Sequence, residues 1–95
     1  MTNTKERFIK IHGEDIAYHR LENDVNGNPR YLVHFLSLGI KPEDYGNEKF
    51  RDFGLKKYRG KWFGGGYVFQ SYELQSDLKW ILGKIKEYYN QKGEN

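Results

Sequence analysis

Apolar and polar residues alternate over the first third of the chain, and this pattern is typical of β-strands with one buried face. Two such runs, residues 8–11 and 16–22, flank the turn-like residues 12–15. A third run, residues 30–38, has apolar side chains at both odd and even positions. Since strands of that kind are covered on both faces, we expect this run at the centre of a sheet.

The clearest turn signal lies between the second and third runs. Asn26 and Gly27 form a dipeptide that suits the positive φ angles of a type I′ hairpin turn. A turn centred on these two residues places His19 directly opposite His34 on neighbouring strands.

Residues 42–53 predict a short helix. Acidic residues come early in this segment, and Phe50 and Phe53 share one helical face. Gly54 follows at the position of a C-cap. After it, residues 56–72 predict two further strands, joined near residues 64–66, which are all glycine.

The last third of the chain predicts an amphipathic helix, capped by Ser71 or Ser76. Its apolar positions follow the spacing of a single helical stripe. They are Leu74, Leu78, Ile81, Leu82 and Ile85.

Together these elements predict an α+β fold in one small domain spanning residues 1–95, with frayed ends at residues 1–6 and 91–95. We expect an antiparallel sheet of four or five strands, packed on one face by the C-terminal helix. Aromatic residues make up 17% of the chain, and their large side chains can build the core.

Composition narrows the class of protein. Cysteine is absent, which excludes disulfides and cysteine-ligated metal. The first residues lack the apolar segment of a signal peptide, and no apolar run approaches the ~18 residues of a membrane span. We therefore expect a cytoplasmic protein without membrane contact.

Positive charge is concentrated in the second part of the chain. Residues 1–54 hold eight Lys and Arg against nine Asp and Glu, whereas residues 55–95 hold eight against four. A basic excess confined to one part of a chain favours an anionic partner there.

Cations and rings alternate between residues 56 and 72, a segment that contains no acidic residue. Sheet-based proteins bind single-stranded nucleic acid in this way, because cations meet phosphates and rings stack on bases. The predicted contact residues are Lys56, Lys57, Tyr58, Arg59, Lys61, Trp62 and Tyr67.

A structural role competes for the same segment, because a domain this small needs its rings in the core. We assign Phe63, Val68 and Phe69 to the core. The glycines match neither a P-loop nor a dinucleotide-binding motif, so backbone geometry explains them better than phosphate binding. Because no carboxylate or hydroxyl falls in a catalytic motif, we expect no enzymatic activity.

Two histidines are metal candidates. In the predicted register His19 and His34 share one face, and a third ligand could come from Glu14 or Asp15. The chain lacks cysteine ligands and a helical histidine pair, so packing roles are favoured and no metal or other cofactor is predicted.

Two segments carry a family resemblance: residues 26–35, NGNPRYLVHF, and residues 58–72, YRGKWFGGGYVFQSY. Together they resemble short proteins of phages and other mobile elements of Gram-positive bacteria. The resemblance implies a regulator of DNA transactions or an inhibitor of a host system, and it transfers no catalytic residue.

These observations predict a non-enzymatic binding module whose basic aromatic hairpin contacts nucleic acid. The first alternative is a protein-interaction or inhibitor protein that uses the same hairpin on an acidic protein surface. A small enzyme is the second alternative. A second copy of the chain, forming a homodimer, is also a candidate partner.

Overall fold

The computed structural model describes residues 5–53 and 55–93. Within these residues, five strands form one antiparallel sheet and two α-helices complete the fold, which confirms the predicted α+β class. The strands are β1 (Arg7–Ile11), β2 (Glu14–Leu21), β3 (Arg30–His34), β4 (Lys61–Phe63) and β5 (Gly66–Gln70). The helices are α1 (Glu48–Phe53) and α2 (Leu74–Gly93).

The strand order across the sheet is β1-β2-β3-β5-β4. The central position predicted for the third strand is therefore confirmed, but this strand ends at His34 and not at residue 38. Phe35 has helical φ and ψ angles of −56° and −50°, and a 3₁₀ turn, Leu36–Leu38, follows. Phe35 and Leu38 are buried, so the turn folds these apolar residues into the core.

The β2–β3 hairpin differs from the predicted register by two residues. His19 pairs with Leu32, and Leu21 pairs with Arg30. The turn begins at Asp24, whose carbonyl accepts a hydrogen bond from the Gly27 amide over 3.0 Å. A shift of two residues leaves each side chain on its predicted face, so His19 and His34 are still neighbours, diagonally across the strands.

The loop explains this shift. One carboxylate oxygen of Asp24 accepts hydrogen bonds from the amides of Asn26 and Asn28, both over 2.9 Å. Such contacts stabilise a turn that starts at the aspartate. Gly27 alone takes up the positive φ, 84°, whereas a type I′ turn would also require a positive φ at Asn26.

One face of the sheet carries the core, and α2 packs against it. The predicted helical stripe is confirmed: Leu78, Ile81, Leu82 and Ile85 are buried and Leu74 is half-buried. On the sheet, the buried apolar residues of this face include Ile11, Ile16, Val33, Tyr67 and Phe69.

The opposite face, here called the open face, carries Phe8, His19, His34, Phe63 and Val68. Phe8 is 62% exposed and Phe63 is 55% exposed, while Val68 is half-buried. Of the three residues assigned to the core from sequence, only Phe69 is buried there. Strand alternation explains the error, because Trp62 takes the core-facing position next to Phe63.

The predicted helix over residues 42–53 forms in two pieces. Residues Pro42–Asp44 form a 3₁₀ turn, and α1 starts only at Glu48. The Asn47 side chain caps α1, because its Oδ1 accepts hydrogen bonds from the amides of Lys49 and Phe50. The predicted C-cap, Gly54, lies outside the described residues.

Neither serine predicted to cap α2 does so. The Ser71 hydroxyl donates a hydrogen bond to the Asp77 carboxylate over 2.7 Å, and Ser76 lies within the helix. In the part of the chain that the structure describes, neither helix has both the length and the apolar character to cross a membrane.

Candidate binding groove

A surface groove of about 550 Å³ lies beside β4 and β5, at one edge of the sheet. Four cations and one acid line it, together with Tyr58 and residues of β4 and β5. We call it the basic groove. Its lining residues are Asp24, Arg30, Lys57, Tyr58, Arg59, Lys61, Phe63, Val68, Phe69 and Gln70.

The short length of β4 creates this groove. Its three residues pair with Gly66, Tyr67 and Val68, so β4 does not extend along the rest of β5. The chain reaches β4 through a 3₁₀ turn, Leu55–Tyr58, and not through the longer strand predicted from sequence. Arg59 then adopts a left-handed conformation with φ of 49°.

Tyr67 holds the segment that precedes β4 through two hydrogen bonds. Its hydroxyl donates a hydrogen bond to the Leu55 carbonyl over 2.7 Å and accepts one from the Gly60 amide. Burial raises the pKa of Tyr67 to about 12, so the hydroxyl keeps its proton at neutral pH. The backbone on either side of Lys57 and Arg59 is thus tied to the core.

The cations of the basic groove differ in their contacts with other residues of the protein. Lys57, Arg59 and Lys61 are exposed, and among the described residues neither Arg59 nor Lys61 has an ion-pair partner within 4.0 Å. The Lys57 ammonium lies 4.4 Å from the centre of the Trp80 ring. Arg30 donates from Nε to the Glu22 carbonyl over 3.0 Å.

Asp24 is the single acidic residue of the basic groove. Hydrogen bonding to the Asn28 backbone is the main cause that lowers the pKa of Asp24, with smaller contributions from the Asn28 and Asn26 hydrogen bonds and from Arg30. The carboxylate therefore remains charged at neutral pH, but backbone amides and Arg30 offset part of its charge.

The structure brings together four of the seven contact residues predicted from sequence: Lys57, Tyr58, Arg59 and Lys61. Lys56, Trp62 and Tyr67 instead line a neighbouring cavity of about 460 Å³. Lys56 is exposed there, but Tyr67 is only 1% exposed and cannot stack on a base.

The other predicted stacking rings also serve the core. Trp62 stacks on Phe35 with ring centres 4.8 Å apart. Tyr58 is half-buried, and its hydroxyl donates to Asp77 over 3.2 Å. Phe63 is the well-exposed ring of the groove, and sequence reasoning missed it. The adjacency of Trp62 and Phe63 was a usable signal, because only one of two consecutive strand residues can face the core.

Sequence reasoning also missed Arg30 and Asp24. Both lie far from residues 56–62 along the chain, and the pairing of Arg30 with Gln70 brings them to the groove. Arg30 follows a proline at the start of β3, and nothing in that local pattern marks it as a ligand-binding residue.

The candidate metal residues lie on the open face. The Nε2 atoms of His19 and His34 are 2.9 Å apart, and the Glu6 carboxylate lies beside both rings. Glu14 and Asp15, the acids considered from sequence, are not in this cluster. They pair instead with Lys86 and Lys10, respectively.

The fold defines a small α+β protein with one antiparallel sheet and a long C-terminal helix. Residues 9–91 match a family model described as Staphylococcus phage terminal repeat-encoded protein TreK, and the chain belongs to this family. This membership confirms the resemblance to phage proteins of Gram-positive hosts. Searches of curated proteins and of solved structures found no match.

Proposed function

We propose that this protein is a non-enzymatic, cytoplasmic binding module for single-stranded nucleic acid and that the basic groove is its contact surface. The observation that carries the proposal is the convergence of Arg30, Lys57, Arg59 and Lys61 on one groove that contains a single acidic residue.

Each part of the groove has a role in this interaction. The cations contact phosphates and release counterions from the strand, which makes binding favourable at low salt. Phe63, 55% exposed at the same groove, stacks on a base. Stacking of this kind contributes about 1–3 kcal/mol per base and tolerates any sequence.

An acidic protein surface is the second candidate partner, and the same cations would contact it. The observation that favours it is membership in a phage protein family, in line with the inhibitor of a host system that the resemblance implies. The two partners differ in salt dependence and in the need for a nucleic acid.

Fluorescence anisotropy with a labelled single-stranded oligonucleotide tests the proposal. We expect log K to fall linearly with log salt, with a slope of about −2 to −3 if three or four phosphates are neutralised. A triple variant, Lys57→Gln, Arg59→Gly and Lys61→Gln, should abolish most of this binding. Glycine at position 59 retains the left-handed backbone without steric cost.

A matched triple variant controls for overall charge. The substitutions Lys10→Gln, Lys41→Gln and Lys86→Gln also remove three positive charges, but at exposed residues outside the basic groove. This control should bind nearly as well as the unaltered protein. An equal loss of oligonucleotide affinity in the two triple variants would refute the basic groove as the binding site. Absence of binding at ~50 mM salt, where phosphate contacts are strongest, would refute nucleic acid as the partner and favour the protein surface.

A further inference from the structure

We propose that Glu6, His19 and His34 form a binding site for a divalent transition-metal ion on the open face. This site is separate from the basic groove. Three potential ligand atoms converge there: Nε2 of His19, Nε2 of His34 and a carboxylate oxygen of Glu6. Imidazole nitrogen and carboxylate oxygen are common ligands of such ions.

The distances among the three atoms fit one ion. The two Nε2 atoms are 2.9 Å apart, and Oε2 of Glu6 lies 3.1 Å from His34 Nε2 and 4.0 Å from His19 Nε2. A triangle with these sides has a circumscribed radius of about 2.0 Å, so one point lies at that distance from all three atoms. Metal–nitrogen and metal–oxygen bonds in proteins are about 2.0–2.2 Å long.

His34 is oriented as a ligand by a contact on its far side. Its Nδ1 lies 3.1 Å from the Gly65 carbonyl oxygen, which can only accept a hydrogen bond. Nδ1 therefore carries the proton, and in the neutral ring Nε2 presents its lone pair to His19 and Glu6. Metal-ligating histidines typically donate their other ring N–H to a carbonyl or carboxylate in this way.

The close contact between the His19 and His34 rings requires a proton or a cation between their Nε2 atoms. With the lone pair of His34 Nε2 directed at His19 Nε2, the 2.9 Å separation is stable when a proton or a cation lies between them. A proton on His19 Nε2 satisfies the ring–ring contact in the metal-free protein, but it leaves the Glu6 oxygen facing the His34 lone pair over 3.1 Å. A metal ion would displace that proton and use both lone pairs.

The geometry also indicates which ions fit. Seen from the common point, the three atoms subtend angles of about 90°, 100° and 170°, close to three corners of a square. Square-planar or octahedral coordination has such angles, whereas tetrahedral zinc sites do not. Ni²⁺ and Cu²⁺ prefer tetragonal nitrogen and oxygen sites. Glu6 is 47% exposed, so water can reach the ion and fill the remaining positions.

An ion at this position would connect three separate parts of the chain. Glu6 precedes β1, while His19 and His34 lie on β2 and β3. A ligand that binds the folded state and not the unfolded chain raises the unfolding temperature. Metal binding should therefore be visible as stabilisation as well as by direct titration.

Calorimetric titration of the untagged protein with Ni²⁺, together with thermal unfolding, tests the site. We expect one ion per chain and a higher unfolding temperature. His34→Gln and His19→Gln should each weaken binding at least roughly tenfold, since loss of even an outer contact costs 10- to 100-fold. His12→Asn is the matched control: His12 is an exposed turn histidine with φ of 52°, which asparagine tolerates, and affinity should not change.

Two measurements keep the test decisive if a histidine variant fails to fold. Glu6→Gln changes only a half-exposed side chain and should also weaken Ni²⁺ binding. Long-range ¹H–¹⁵N NMR of the metal-free protein should show the His34 proton on Nδ1. Absence of saturable binding, equal affinity in Glu6→Gln and the unaltered protein, or a His34 proton on Nε2 instead of Nδ1 would each overturn the proposal.

Discussion

The Gly60 amide donates a hydrogen bond over 3.0 Å to the hydroxyl of Tyr67, with the backbone lying directly against the ring. A Cβ atom at Gly60 would lie 2.2 Å from Cζ of Tyr67, closer than any van der Waals contact. Only glycine fits there without displacing a buried ring. This contact fixes the segment that carries Lys57, Arg59 and Lys61.

Gly60→Ala should therefore destabilise the protein by about 1–3 kcal/mol, the usual cost of overpacking a core. Urea unfolding measures the effect. Gly64→Ala is the control, because a Cβ there meets no atom within 4 Å. Equal unfolding free energies for the two variants would show that the Tyr67 ring moves aside at no cost.

Three of the eight tyrosines should ionise late in an alkaline titration. Burial is the first cause that raises the pKa of Tyr58, Tyr67 and Tyr89 to about 12, from an ordinary value of 10.0. Because the folded state holds these protons more tightly than the unfolded chain, their stabilising contribution is complete below pH 10 and is lost as pH rises towards 12. Absorbance at 295 nm should show that part of the tyrosine ionisation occurs at a higher pH in the folded protein than in urea.

Asp44 links the 3₁₀ turn at Pro42–Asp44 to the end of α2. Its side chain is 3% exposed and accepts hydrogen bonds from the Tyr89 hydroxyl over 2.9 Å and the Lys92 ammonium over 3.3 Å. Asp44→Asn should cost about 1.5–3 kcal/mol at pH 7, the contribution of hydrogen bonds to a charged group. Asp15→Asn, which removes an exposed charge, should cost less than ~1 kcal/mol.

The same variant should show a definite pH dependence. Burial by itself raises the pKa of Asp44, but hydrogen bonds from Tyr89 and Lys92 and the Lys92 charge outweigh it, so the pKa of Asp44 lies below the ordinary value of 3.8. A carboxylate with a lowered folded-state pKa stabilises the fold above its unfolded value and loses that contribution as pH falls. The difference between Asp44→Asn and the unaltered protein should therefore shrink below about pH 4. A difference that persists at lower pH would contradict the ionised state of Asp44.

Asp24→Asn should strengthen oligonucleotide binding if the proposed function is right. The amide oxygen can still accept the hydrogen bonds from the backbone amides of Asn26 and Asn28, whereas the hydrogen bond from the Asn28 side chain to the second oxygen is lost. The single negative charge of the basic groove is removed. A unit charge near a phosphate at the surface contributes about 1 kcal/mol, so a gain of up to about fivefold is expected. Glu87→Gln on α2 should not change the affinity. Unchanged affinity in Asp24→Asn would show that the oligonucleotide does not bind close to Asp24.

Features that depend on neighbouring residues could be predicted from the sequence. The stripe of Leu78, Ile81, Leu82 and Ile85 identified the face of α2 that packs on the sheet. The glycines at 64–66 marked the β4–β5 connection. These local patterns predict the α+β fold with a sheet of four or five strands, and the structure has five. Such features need only periodicity and turn chemistry, both of which act over a few residues.

The candidate sites depended on contacts that no local pattern encodes. Glu6 reaches His34 only because β1, β2 and β3 lie side by side, and Arg30 reaches the basic groove only because β3 pairs with β5. The side-chain hydrogen bonds of Asp24 decided the hairpin register. Burial of Trp62 against Phe35 left Phe63 exposed. The sequence by itself thus determined the α+β class and the buried face of α2, whereas the tertiary structure decided which distant side chains meet, because each long-range contact depends on strand order and register.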